Sequence, residues 1–329
     1  MTALFVGFPF DVAGHLEPLR VRRSLLGRQY HFVRDGVDVQ ISIPQRHDDF
    51  LYWTPFVPGE YRALIDWNAD SDEVSIYTVF VAVGFDATVS AANSLEGDTL
   101  DAAIAVVDHA YAVAQAVIDE FLSWIRATTR MTGQVLSGQT AALAGPARAM
   151  DVELGLPIGV GPTHHGVAVA RDPAGKYVLD ETDLDDLITR IARHDEAPVA
   201  ETLLADAEYY ARHMVNDVRR AILMAAIACE VKVKEVLRGR ASPETLPLID
   251  FALENPREIT VSVAGGLFHK LMRTAHGRSL SDENNVLFHR IERLFTVRNS
   301  IAHRGVLPDA VETRQLVAAA RQCFQWLDM

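Results

Sequence analysis

The sequence predicts an α+β chain in two parts, an N-terminal mixed β-sheet and helix region followed by an all-α antiparallel helical bundle. Three observations carry this. Val37, Val39, Ile41 and Ile43 alternate with Asp38, Gln40 and Ser42, the period-2 pattern of a half-buried strand. Beyond Ala200 the apolar residues recur at helical spacing almost without interruption. The charge changes with the pattern. Residues 200–329 hold 17 Lys and Arg against 16 Asp and Glu, while residues 1–199 hold 14 against 28. The net charge of −13 therefore belongs to the first part, where it disfavours passive nucleic-acid binding, and leaves room for a local cationic site in the second.

The elements follow in order. Tyr30–Val33 and the Val37–Ile43 run are joined by Arg34-Asp35-Gly36, a hairpin turn composition. A second hairpin is predicted from Tyr61–Trp67, across 68–72, to Val74–Phe85. A long helix should run from about Leu100 to Thr128, with Asp98 or Thr99 as cap and a stripe through Ile104, Val107, Tyr111, Ala114, Val117 or Ile118, Phe121 and Ile125. A Gly/Ala-rich connection around 132–148 leads to short strands at Val167–Ala170 and Tyr177–Leu179 about a turn at 172–175. Asp183–His194 reads as a helix, and Asp195–Pro198 as the boundary between domains 1–198 and 199–329.

In the second domain, Leu203, Ala207, Tyr210, Met214, Val218, Ile222, Ala225, Cys229, Val233 and Val236 predict one helix of about ten turns, stopped by Gly239. Ser242-Pro243-Glu244 has the order of cap and first-turn proline. A helix over Ser281–Ala302 is expected with Ser281 as cap. Gly305 ends it, and Val311–Leu327 forms the last helix.

Several function classes find no support. No segment approaches the roughly 18 apolar residues of a membrane span, and Met1–Phe10 lacks the pattern of a signal peptide. Cys229 and Cys323 fall on apolar stripes, as expected of buried free thiols in a reducing cytoplasm. No phosphate-binding glycine loop, zincin helix or nucleophile elbow occurs; Gly159-x-Gly161 precedes a proline rather than a helix. His164-His165 would point to opposite faces of a strand, Asp108-His109 reads as a solvated helix edge, and His269 and His276, which could share a helical face, lack a third ligand. Neither a metal nor a cofactor is expected.

One constellation carries chemistry: Arg298-Asn299-Ser300-Ile301-Ala302-His303. Leu294, Val297 and Ile301 lie within about 60° of one another on a helix and define its buried seam, whereas Asn299 and His303 point about 140–180° away from Leu294. Arg298 sits at the flank. It and His303 are about 140° apart, so one helix does not simply bring them together. The residue types suit phosphodiester cleavage without metal. A histidine takes a proton from the ribose 2′-OH or gives one to the 5′-leaving oxygen. An arginine binds the phosphate and the charge that grows on it, and Asn299 can orient the imidazole. A 2′-OH nucleophile selects RNA. Spacing alone is weak, since about one Arg-x4-His is expected by chance in a chain of this composition; position near a helix end, with one further amphipathic helix to follow, is what distinguishes this match.

That combination resembles the HEPN superfamily (higher eukaryotes and prokaryotes nucleotide-binding), helical bundles with Arg-x(4–6)-His near the end of the penultimate long helix, and is closest to ApeA-like HEPN domains. The run Ala225–Lys232 also resembles the long first helix of these domains, where an acidic residue is frequent; Glu230 is the candidate, as a supporting residue that also forms an i,i+4 pair with Lys234. The resemblance covers about residues 200–329. It implies a homodimer whose two motifs meet in one cleft, with Arg298, Asn299 and His303 catalytic, RNA as substrate, and in many members a place in phage defence or toxin systems. Members silenced by a nucleotidyltransferase antitoxin carry Tyr two residues after the motif histidine. Gly305 stands there, so that regulation is not expected. The alternative is a non-catalytic dimerisation module beside an N-terminal domain that binds a ligand, trigger or partner.

Overall fold

The computed structural model describes residues 3–12, 19–44, 65–66, 71–76, 78–86, 98–129, 148–151, 156–159, 178–212, 216–255 and 263–329. They fall into two compact units, Met1–Ala197 and Pro198–Met329, divided one residue before the boundary read from the sequence.

The first unit is built on antiparallel sheets. Strands β1 (Ala3–Asp11), β3 (Gln29–Arg34), β4 (Val37–Ser42), β7 (Thr78–Asp86), β8 (Arg148–Asp151) and β9 (Leu156–Gly159) form a six-stranded sheet in the order β3-β4-β7-β1-β8-β9. β2 (Leu19–Arg22), β5 (Ile65–Asp66) and β6 (Glu73–Ile76) form a three-stranded one, ordered β2-β6-β5. In the β3–β4 hairpin Arg34 pairs with Val37, and the two turn residues Asp35 and Gly36 both have positive φ, 51° and 80°. That is the turn whose twist matches its strands, and aspartate–glycine is among the pairs that favour it. Val39, Ile41 and Ile43 are buried beside half-buried or exposed polar neighbours, as the alternation requires.

Helix α1 (Asp98–Thr129) packs on β7 and β1 with Ala114, Val117, Ile118, Phe121, Leu122 and Ile125 fully or almost fully buried. Asp98 and Thr99 lie inside its first turn, not at its cap. Tyr111, expected in the apolar stripe, is 37% exposed at its edge but still packs on Phe8 and Phe10. Helix α2 (Glu181–Ala192) starts two residues earlier than expected because Asp180 and Asp183 form a capping box. The predicted second hairpin is divided: Ile65–Asp66 pairs with Glu73–Ile76 in the small sheet, while Thr78–Asp86 belongs to the large one. Of the later predicted strands, Leu179 makes a single bridge to Val21. Val167–Ala170, the 172–175 turn, the 132–147 connection and His164-His165 lie outside the described residues.

The second unit is helical: α3 (Val199–Ala211), α4 (Val218–Gly239), α5 (Leu246–Glu254), α6 (a π-helical Ala264–Leu271 running on into Met272–His276), α7 (Leu280–Glu283), α8 (Asn285–Arg304) and α9 (Ala310–Asp328). The single ten-turn helix expected over 203–236 is two helices. The chain turns at Asn216, in left-handed conformation with φ 44°, and Asp217 caps α4 by accepting the Arg220 N–H. The apolar spacing continues across this break, which hid it. Ser242 closes a turn through the Thr245 N–H, so α5 starts at Leu246 and has Pro247 in its first turn. Ser281 is not the cap expected for the motif helix; Ser279 caps α7, and Asn284 caps α8 by accepting the Leu287 N–H.

Helix α4 is the hub, packed against α3, α8 and α9. Small residues Ala221, Ala225, Ala226, Ala228 and Cys229 are among its buried residues, and Ala319, Ala320 and Cys323 among those of α9. The Cys229 and Cys323 thiols are free and buried, and they interact directly. Burial pushes the Cys323 thiol well above its ordinary range, with the contact to Cys229 acting in the same direction. The Lys232 ammonium joins three helices through Glu201 of α3 at 2.5 Å and Asp328 of α9 at 2.8 Å. Its pairing with Glu201, at the start of α3, shows that α3 and α4 run antiparallel. Burial opposes the charge on Lys232, but hydrogen bonds to Asp328 and Glu201 outweigh it and raise the ammonium above its ordinary value.

Candidate functional site

Helix α8 carries Arg298, Asn299 and His303, and its seam decides where they point. Leu287, Ile291, Leu294, Val297 and Ile301 are buried. Asn299 and His303 are exposed on the opposite side. Gly305 terminates the helix with φ +67°, its N–H donating to the Ile301 carbonyl. A left-handed cap of this kind favours glycine over any β-substituted residue. The absence of an aromatic residue two positions after His303 is thus tied to how this helix ends.

Arg298 lies deeper than the sequence reading placed it. It turns toward α4, with its side chain only 31% exposed and Nη2 lying 3.9 Å from Glu230 Oε2. Nη1 donates to Asn299 Oδ1 at 3.0 Å. Glu230 is in turn held more tightly by Lys234, whose Nζ donates to Oε1 at 2.6 Å. Arg298, Asn299, Glu230 and Lys234 therefore form one polar chain across the α4–α8 contact. His303 stands outside it. Among the described residues the imidazole has no hydrogen-bond or ion-pair partner, and no contact joins it to Arg298. Within one chain the structure joins three of the four candidates and leaves the fourth free.

The chain has no matching family model, and neither curated proteins nor solved structures provide a match. The guanidinium is half-buried, which strengthens its field, and its distance from Glu230 is long for an ion pair. It can turn to a phosphate without breaking a short bidentate bond. The imidazole is exposed at the end of α8 and is not engaged by any other described residue. A transesterification needs a base for the 2′-OH and an acid for the leaving oxygen, and the motif supplies one histidine per chain.

The i,i+4 pair of Glu230 and Lys234 expected from the sequence is present; what spacing could not show is that the same carboxylate faces Arg298. The other histidines are accounted for separately. His269 Nδ1 lies 2.7 Å from Ser279 Oγ, on the π-helical segment. His276 is lowered below its ordinary value by burial and by the Arg240 charge, against a bond to the Leu237 backbone. The two have different partners. No group of three metal-capable side chains occurs among the described residues, and none of their helices is long and apolar enough to cross a membrane.

Proposed function

We propose that the C-terminal helical unit is a HEPN-type, metal-independent endoribonuclease working in the cytoplasm as a homodimer. The observation that carries this reading is the free His303 imidazole at the exposed end of α8, one turn beyond an asparagine that holds Arg298. His303 of one copy removes the proton from a ribose 2′-OH, the 2′-oxygen attacks phosphorus, and the 5′-oxygen leaves with a proton from the second copy's histidine. Arg298 neutralises the charge on the equatorial phosphate oxygens, and Asn299 and Glu230 aim it. The motif brings one histidine per copy and the reaction calls for two proton-transfer roles, which supports a site completed by a second copy. The buried free thiols fit a reducing compartment. The acidic N-terminal unit, unsuited to holding RNA itself, is assigned to sensing a trigger or restraining the nuclease, as in a phage-defence or toxin effector.

The test is cleavage of total RNA or tRNA in EDTA by the wild type and by His303→Ala. The variant should lose about 10²–10⁴-fold in rate, the usual worth of positioned acid–base catalysis. Equal cutting by both proteins would remove the assignment. A second reading is favoured by one observation, that Arg298 engages Glu230 and Asn299 rather than His303. In that reading the helices only dimerise, and the N-terminal unit binds a ligand or partner. Dimers without cutting on any RNA would support it.

A further inference from the structure

Cations in the second unit are mostly matched to carboxylates. On α4 and α9, Lys232 meets Glu201 and Asp328, Lys234 meets Glu230, Arg238 meets Asp250, and Arg321 meets Glu208. Four exposed arginines of this unit have no hydrogen-bond or ion-pair partner among the described residues: Arg219 on α4, Arg314 on α9, and Arg290 and Arg304 on α8. Arg293, between them, shares its charge with Glu312 at 2.8 Å and remains exposed. On an ideal helix the three side chains fall within about 60° of one another, along roughly 21 Å of axis. The one carboxylate of α8, Glu292, lies about 160° round from Arg290 and bonds His289 instead. Arg290 and Arg293 thus stand toward one end of this edge of α8 and Arg304 at the other, with the buried Val297 on the same line between them. His303 stands at the edge's C-terminal end, about 100° round from Arg304.

The helix dipole alone accounts for a base in the last turn, and so for Arg304. It does not account for Arg290, in the second turn of α8 and outside the dipole's reach. An extended polyanion satisfies both. We propose that the Arg290–Arg293–Arg304 edge is a phosphate track on which a single RNA strand lies, bringing one phosphodiester to His303. The choice of RNA rests on the nuclease reading above. The track itself rests only on charges and their placement. Contacts of this kind position a strand without reading its sequence, so affinity should be tolerant of sequence and steep in salt.

The experiment measures binding of a short fluorescent oligouridylate by full-length His303→Ala, which does not consume the probe, across a salt series. The same measurement is made with Arg290→Ser/Arg304→Ser added, and separately with Arg219→Ser. Arg219 is an exposed arginine at the start of α4, without a partner among the described residues, and controls for bulk charge. The double replacement should weaken binding and reduce the slope of log K against log salt by about 1.4, two single-strand contacts at about 0.7 each. Arg219→Ser should leave the slope unchanged. An unchanged slope in the double variant, an equal fall in the Arg219 control, or no binding of the probe at all would overturn the track. Cutting of the same oligonucleotide in EDTA by proteins with His303 intact separates the two ideas. Cutting with an unchanged slope removes the track and leaves the nuclease, whereas a reduced slope without cutting does the reverse.

Discussion

Two arginines, one in each unit, meet glutamates on a neighbouring helix, and the difference between them separates a structural pair from an available one. Arg34, at the end of β3, is 7% exposed and grips Glu120 of α1 through two bonds, at 2.7 and 2.5 Å. Both guanidinium ends are committed, and the pair ties the sheet to the helix that covers it. Arg298 is nearly one-third exposed, stands 3.9 Å from Glu230, and has to share that carboxylate with Lys234. A bidentate pair of two short bonds fixes a side chain; one long contact steers it. The chain can build a tight arginine clamp and does so in the first unit. At the end of α8 it holds the guanidinium in place without using it up.

The sharpest way to break this comparison is to remove each arginine and read both stability and cleavage. Arg298→Ala should cost about 10²–10³-fold in RNA cleavage, the loss expected for one donor to a transition-state oxyanion. It should cost less than about 1 kcal/mol in stability, because the pair is long and partly solvated. Arg34→Ala should do the opposite. It leaves Glu120 without its partner and destabilises the first unit by about 3 kcal/mol, toward the low end for a broken buried pair because Glu120 keeps some solvent. Hydrogen exchange of peptides from α1 and α8 reports the two units separately. If Arg298→Ala loosens α8 as much as Arg34→Ala loosens α1, both arginines are structural and the catalytic role of Arg298 falls.

A smaller effect sharpens the same contrast. Glu230→Gln removes the charge facing Arg298 while keeping a hydrogen-bonding group for Lys234. The contact is worth about 0.5–1 kcal/mol at most, so cleavage should change by no more than about fivefold. A hundredfold loss would mean that Glu230 touches the reaction directly.

How much of this was readable beforehand depends on the range over which each signal acts. The hairpin at Asp35-Gly36, the apolar face of α1 and the terminus at Gly305 rest on residues a turn or less apart, and the sequence shows them. The central strand β1 did not show itself as a defined element. Ala3–Asp11 is a near-continuous apolar run, which periodicity cannot tell from a buried helix, and its partners β7 and β8 lie far along the chain. The break between α3 and α4 was missed because Met214 and Val218 keep helical spacing across it, although Asn216 and Asp217 carry the turn and cap chemistry. Between Ser279 and Asn285 several residues can cap, and local rules do not choose among them. At the site, the types and positions of Arg298, Asn299 and His303 were legible. The direction of Arg298 was not, because it depends on a tertiary contact with Glu230, 68 positions earlier in the chain.

The smallest expected effect concerns how the second unit stays rigid around its loosely held arginine. His276 Nε2 is buried without a partner among the described residues, and burial together with Arg240 depresses the imidazole below its usual value near 6.5. The unfolded chain therefore takes up a proton in a range where the folded one does not, so stability is complete above about pH 6.5 and declines as pH falls below it. Glu283 is also depressed, by hydrogen bonds from Arg278 and Trp326. Its contribution is present above the ordinary carboxylate value near 4.5 and is lost only at lower pH, as the folded value is crossed. That leaves Glu235 of α4, whose carboxyl is raised by burial above its ordinary value and which acts in the opposite sense as pH falls toward the carboxylate range, so the histidine's part is the difference between wild type and His276→Gln. Exchange from α4 and α8 should rise modestly between pH 6.5 and about 5 in the wild type and much less in His276→Gln, which cannot titrate. The same change in α1 would assign the acid sensitivity to the first unit, and the tight and loose arginines would then sit in environments of similar firmness.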